Sequence, residues 1–214
     1  MIIAAVGMLR EAKIVSGEGL IAIPGGGRAD LLRQRLKAVA PGATGVISIG
    51  IGGALDPSFK VGDVVLADSV VAGSQGWTTD ADWTARLAAA LPHAHTGLVF
   101  GSDAMVTAAA DKARLHAETG AVLADMESHV AARFAAERGL PLAVLRVVSD
   151  QASTDLPLAV TAGLKPDGGM NLMGVLASLA RDPRQLPGLM RAGREAEAAF
   201  AVLSAAVRAA KLGT

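Results

Sequence analysis

The chain has 214 residues in which 20 Lys and Arg balance 20 Asp and Glu, and only 3% are aromatic. That balance gives no field to draw nucleic acid and little surface for stacking single strands, so nucleic-acid binding is not expected. There is no cysteine, hence no disulfide framework or thiolate metal site. No apolar block reaches the roughly 20 residues of a membrane span.

Short β-branched runs alternate with longer Ala-, Leu- and Arg-rich stretches. This is the pattern of an α/β fold with a mixed sheet covered by helices, and the length suits one domain over residues 1–214. The apolar opening MIIAAVG lacks a basic leader and a cleavage site and reads as a first strand. Strands are predicted near 1–6, 20–24, 44–49, 62–71, 96–101, 121–125 and 141–148. Helices are predicted near 10–15, 28–40, 80–91, 108–118, 127–138, 169–181 and 185–211. The last two follow one another without a strand, so the C-terminal third should pack on a finished sheet. Pro24-Gly25-Gly26-Gly27 reads as a turn before a helix, and Gly50-Ile51-Gly52-Gly53 as a turn after the buried strand GVISI. Residues 151–170 read as a long irregular connection of the kind that serves as a lid. The histidines, His93, His95, His116 and His129, show no ligand spacing with carboxylates, so a cytoplasmic protein without metal or cofactor is expected.

Four segments carry candidate chemistry. Gly50-Ile51-Gly52-Gly53-Ala54-Leu55 fails the dinucleotide fingerprint, because Leu55 holds the third glycine place. A Gly-rich turn still bares backbone N–H groups to a ligand, with a plain tight turn as the alternative. Asp125 and Glu127 end a strand and open a helix, at the sheet edge where ligands bind or simply at a favourable helix dipole. Arg146, Ser149 and Asp150 end the next strand, where Ser149-Asp150 is either a site or a helix cap. In GMLREA, Arg10 and Glu11 are adjacent on a helix and cannot both face one spot, so one lines a site.

In this order, GMLREA, GIGGALDPSFKVGDVVLAD, LVFGSDAMVT, ADMESHVAA and LRVVSD resemble the purine and uridine phosphorylases and the methylthioadenosine/S-adenosylhomocysteine nucleosidases. Within that superfamily the short chain most resembles the hopanoid-associated phosphorylases, which act on adenosylhopane. The resemblance implies a nucleoside phosphorylase-like fold and a homo-oligomer, a dimer or higher. It implies that Asp150 protonates the leaving purine, that Glu127 holds the ribose 2′ and 3′ hydroxyls, and that Glu11 activates water. It places Met126 against the sugar, Val106 at the purine edge, and Arg146 in support of the acidic pair, with Asp125, Ser149 and Met8 beside the substrate. Met105 stands where the nucleosidases stack a phenylalanine, and a thioether is the softer contact. Ser48 and Ile51 replace an arginine and a serine that hexameric phosphorylases use for phosphate. Arg10, Gly7, Gly50 and a neighbouring subunit's Arg28 are what remains to hold inorganic phosphate.

The expected activity is therefore cleavage of the N-glycosidic bond of an adenine nucleoside, by phosphorolysis or hydrolysis. Departure of the purine leaves an oxocarbenium-like sugar, so Asp150 must carry a proton at that moment, a state favoured by burial or by Glu127 and Asp125 nearby. The alternatives are a methylthioadenosine/S-adenosylhomocysteine nucleosidase and a non-catalytic nucleoside binder. Leu156, Pro157, Leu158, Ala159, Val160 and Leu164 suggest an apolar 5′ substituent, with core burial as the other explanation. Leu172, Met173, Val175 and Leu176, followed by Arg181, Arg184, Arg191 and Arg194, suggest peripheral contact with an anionic membrane, as hopanoid biosynthesis would require.

Overall fold

The structure, a computed structural model, describes residues 1–163, 165, 168–169 and 171–212. Among these residues the strands are β1 (Ile2–Val6), β2 (Leu20–Pro24), β3 (Gly45–Ala54), β4 (Val64–Ala72), β5 (Gln75–Thr78), β6 (His95–Gly101), β7 (Leu123–Asp125) and β8 (Leu142–Asp150). The helices are α1 (Leu9–Val15), α2 (Ala29–Val39), α3 (Ala81–Ala90), α4 (Ala109–Thr119), α5 (Ser128–Ala136), α6 (Leu158–Ala162), α7 (Leu172–Arg181) and α8 (Leu186–Ala209). A 3₁₀ turn at Pro183–Gln185 joins the last two.

The strands form one mixed sheet. β2, β1, β3 and β8 run parallel, while β7 pairs β3 antiparallel and continues through β6 to β4. Because β4 also pairs β8, strands β3, β7, β6, β4 and β8 close into a ring. β3 and β8 are apolar on both faces, as strands buried on both sides must be. Val46, Val144 and Val148 meet Val130, Ala131 and Phe134 of α5 on one side. Ile47, Ile49, Leu145 and Val147 meet Phe200, Leu203 and Val207 of α8 on the other. The period of two thus places Arg146 and Asp150 on the same face of β8 as Val144 and Val148.

Three predicted features change. Gly50–Gly53 is not a turn after a strand but the second half of β3, held there by parallel pairing with Arg146–Asp150 of β8. β5 was not expected; the chain reverses at Gly73, whose φ of +57° suits glycine, and pairs back on β4. The 151–170 connection contains the short helix α6, because Ala159 is fully buried against its neighbours. Leu164 lies outside the described residues. Among the described residues no helix is long and apolar enough to cross a membrane.

Helix α3 begins where the Asp80 side chain accepts the Trp83 N–H at 2.7 Å, which fixes Trp83 over the start of β3. An N-cap of this kind is worth about 1 kcal/mol. Asp80→Ala is therefore expected to lower the urea midpoint with an unchanged slope, and an unchanged midpoint would contradict the role of this cap.

Candidate active site

The site grows from the ends of β1, β3, β7 and β8. Arg146 is fully buried in β8, with Nε 2.6 Å from Asp125 Oδ2 and Nη1 3.4 Å from Glu127 Oε2. Its Nη2 donates to Ser48 Oγ at 2.5 Å. Asp125 Oδ1 accepts the N–H groups of Glu127 at 3.0 Å and Ser128 at 2.8 Å, so the acid that ends β7 also shapes the turn into α5. The Ser128 hydroxyl lies against Asp125 and Ser48.

Glu11 turns inward from α1 and is buried, while Arg10 turns out. Its Oε2 accepts the N–H groups of Gly7 and Met8, both at 2.7 Å, and its Oε1 accepts that of Ile51 at 2.8 Å. One carboxylate thereby ties the turn after β1 to the middle of β3. The glycines make room for it. A Cβ on Gly50 would collide with the Glu11 carboxylate and Arg146 Nη1, and one on Gly7 would lie 2.9 Å from Glu127 Oε1.

The residues expected to hold phosphate have partners of their own within this chain. The Gly7 N–H is taken by Glu11, and the space over Gly50 is filled by Glu11 and Arg146. Arg10 is exposed, pairs both its Nη atoms with Glu197 of α8, and lies over the Phe200 ring. Arg28 is exposed and paired with Asp30 of α2. Guanidiniums with close carboxylate partners already in hand are poor acceptors of a further anion.

Asp150 is buried at the end of β8, but its neighbours are not the expected carboxylates. Glu127 and Asp125 are both engaged by Arg146. Asp150 Oδ2 instead accepts from Lys112 Nζ of α4 at 2.5 Å, and Oδ1 lies 2.9 Å from the Ser149 hydroxyl. Gly53 faces it, since a Cβ there would be 2.9 Å from Asp150 Oδ2. Met8, Met105, Val106 and Met126 are half-buried. Val106 packs with Leu55 and Ala124. The connection after β8 crosses this edge: Leu156 N–H donates to Thr107 O at 2.9 Å, Ala109 N–H to Asp155 Oδ1 at 2.7 Å, and Leu9 N–H to Gly168 O at 3.0 Å.

Sequence reasoning missed Lys112 and Ser128, and it noted Ser48 only as a replacement at a phosphate position, not as a partner of Arg146. A lysine in an amphipathic helix ordinarily reads as solvated, yet Lys112 shares the inward stripe of α4 with Leu115, His116 and Thr119, and that spacing was the available signal. Nothing in GVISI distinguishes Ser48 from a small core residue.

Three buried acids, Glu11, Asp125 and Glu127, share one guanidinium, so full ionisation leaves uncompensated charge away from water. Burial pushes Glu127 up to about 8, with Asp125 and Glu11 adding repulsion and Arg146 opposing. Burial likewise raises Glu11, against Arg146 and its three backbone N–H donors. A carboxyl raised in the folded state binds its proton there more tightly than in the unfolded chain. Its contribution to stability is complete below the ordinary carboxylate range and is lost as pH rises toward about 8. Stability should therefore fall across that window in the wild type and fall less in Glu127→Gln, as measured by urea unfolding at stepped pH. Equal slopes in the two proteins would contradict the assignment.

The sequence model of the phosphorylase superfamily matches residues 5–162. No curated protein sequence matches the chain. Among solved structures, the S-adenosylhomocysteine nucleosidase of Streptococcus pyogenes, in complex with 5-methylthiotubericidin, superposes with a TM-score of 0.65 at 16% identity, over 94% of this chain and 95% of that one. The 5′-methylthioadenosine/S-adenosylhomocysteine nucleosidase of Helicobacter pylori, with butyl-thio-DADMe-Immucillin-A, gives 0.63 at 18% identity, over 97% of each chain. The futalosine hydrolase of the same organism gives 0.61 at 18% identity, over 70% of this chain and 88% of that one. These likenesses show the same fold, and the family match spans most of the sequence: the chain belongs to the phosphorylase superfamily.

Proposed function

We propose that this protein cleaves the N-glycosidic bond of an adenine nucleoside with water as the acceptor. The observation that carries this reading is the convergence of Glu11 and Glu127 on Gly7, where a Cβ would lie 3.3 Å from one carboxylate and 2.9 Å from the other, while Asp150 is held apart by Lys112. Two kinds of acid in two environments fit two tasks. Glu11 takes the proton of the attacking water. Glu127 receives the sugar hydroxyls, with Met126 and Met8 against the ring. Asp150, oriented by Ser149, gives a proton to the departing purine, which lies toward Met105 and Val106. Arg146 and Asp125 hold the acids in place. Among the described residues the cations in contact with these acids are Arg146 and Lys112, both already paired, which disfavours phosphate. The names of the fold relatives, nucleosidase and hydrolase, agree.

A large apolar 5′ substituent of the adenosylhopane kind is supported by the C-terminal helices. Leu158, Leu172, Met173, Leu176, Leu186 and Met190 are exposed on α6, α7 and the start of α8. Ala159 and part of the same run pack down, so core burial explains only some of these residues. Arg181, Arg184, Arg191 and Arg194 are exposed around them, as suits the surface of an anionic membrane.

Incubation with adenosine or methylthioadenosine should release adenine and a free sugar, with no effect of added phosphate. Asp150→Asn should lose about 10²- to 10⁴-fold in turnover with binding retained, and Glu11→Gln should abolish release. A sugar 1-phosphate in the product would contradict water as acceptor, and unaltered turnover in Asp150→Asn would remove its role. In competition, adenosylhopane in anionic liposomes should be preferred over methylthioadenosine and the protein should co-sediment with the liposomes. Preference for the soluble nucleoside without liposome binding would leave a methylthioadenosine-type nucleosidase.

A further inference from the structure

Lys112 is an unusual lysine. It is fully buried, and its three ammonium hydrogens match three acceptors: Asp150 Oδ2 at 2.5 Å, Gln151 O at 3.0 Å and Thr154 O at 2.9 Å. An ammonium stripped of water and placed on a carboxylate is a costly arrangement unless its hydrogen bonds are complete, and here they are. Transfer of one proton to Asp150 leaves the set complete as well. The resulting amine keeps two N–H groups for the two carbonyls and turns its lone pair to the new carboxylic acid. In a buried pair the charged and neutral arrangements lie closer in energy than in water, since burial penalises both charges.

We propose that Lys112 is the positioning residue that supplies, through Asp150, the proton taken by the leaving purine; this rests on the nucleoside-cleaving function above. The lysine Nζ–H proton passes to Asp150 Oδ2. The C1′–N9 bond breaks with its electron pair going to the purine, and purine N7 takes the proton from the Asp150 carboxyl. Water adds to C1′ and releases its proton to Glu11. The cycle closes when Glu11 gives that proton to solvent and Lys112 takes one back. The amine left in mid-cycle remains bonded to Gln151 and Thr154, so the first turn after β8 keeps its place while the pair is neutral.

The charged groups around the pair come from each element packed on it. On α4, Asp111 and Arg114 face outward and pair with each other. His116, a turn further on, bonds Ala121 O. From the connection after β8, Asp155 accepts the Ala109 N–H, and Arg191 of α8 reaches Asp155 O at 3.3 Å. Across β3 stand Asp56, which accepts the Ser58 N–H, and the Glu11–Arg146 cluster. None of these offers Asp150 a proton by direct contact in the way Lys112 does.

The test is the pH profile of kcat/KM for adenine release by wild type, Lys112→Met, Lys112→Arg and Lys112→Ala, each checked for folding by circular dichroism. The wild type should hold activity further to the alkaline side than any of the Lys112 variants. Lys112→Met should move the alkaline limb to lower pH and fall about 10²-fold or more near neutrality, the scale of general acid catalysis. Lys112→Arg should stay equally slow, because a guanidinium keeps the charge but not a transferable proton. Added alkylamines should restore Lys112→Ala. Variants that keep the wild-type alkaline limb, with no amine rescue, would overturn the role of Lys112 alone. A wild type that releases no adenine would overturn the hydrolase function and this assignment with it.

Discussion

A guanidinium sealed inside a sheet constrains everything within its reach. Arg146 has no water to fall back on, and breaking a buried pair by removing one partner costs about 3–5 kcal/mol, so the surrounding chain must supply acceptors. Asp125, Glu127 and Ser48 are those acceptors, drawn from two other segments. Once they gather, Glu11 arrives as a third acid beside the same cation, and burial, with the repulsion from Asp125 and Glu11 added, pushes Glu127 up to about 8. A carboxyl raised in this way is ready to exchange its proton for a ligand's hydroxyl hydrogen bonds.

The backbone is cut to fit this cluster. Gly50 sits opposite Arg146 in the parallel register, and Gly53 opposite Asp150. Between them a bulge at Gly52/Gly53 sets Val148, Ser149 and Asp150 of β8 against two residues of β3. The irregularity brings Gly53 under the Asp150 carboxyl, where any side chain would press on it. Ser149, the residue without a partner in that register, lies 3.1 Å from Gly52 O as well as beside Asp150. The fold thus keeps two acid centres with different companions, one crowded by carboxylates around Arg146 and one held by an ammonium.

Much of this was legible in the sequence because it depends on local pattern. Alternating apolar runs located β1, β2, β4, β6, β7, β8 and the first half of β3, and acidic strand ends marked Asp125, Glu127 and Asp150. The angle between adjacent helical residues divided Arg10 from Glu11. What was not legible depends on register and on partners far apart in the chain. Gly-Ile-Gly-Gly looks like a turn until pairing with β8 makes it a strand whose missing side chains house Glu11 and Asp150. Lys112 and Asp150 are 38 positions apart, and no periodicity within α4 names the acid its lysine will meet. The partners of Arg10 and Arg28 were not legible either, since Glu197 comes from the last helix and Asp30 from the first turn of α2.

Burial beside Arg146, with Asp125 and Glu11 crowding in, should leave a proton on Glu127 in the free protein. Carboxyl-carbon NMR of protein labelled at glutamate, with Glu127→Gln to assign the signal, measures it directly. The expected result is a Glu127 titration centred well above the ordinary carboxylate range, near 8, that moves to lower pH when a nucleoside analogue binds and its hydroxyls favour the ionised form. A Glu127 signal that titrates with the surface glutamates, indifferent to ligand, would contradict it.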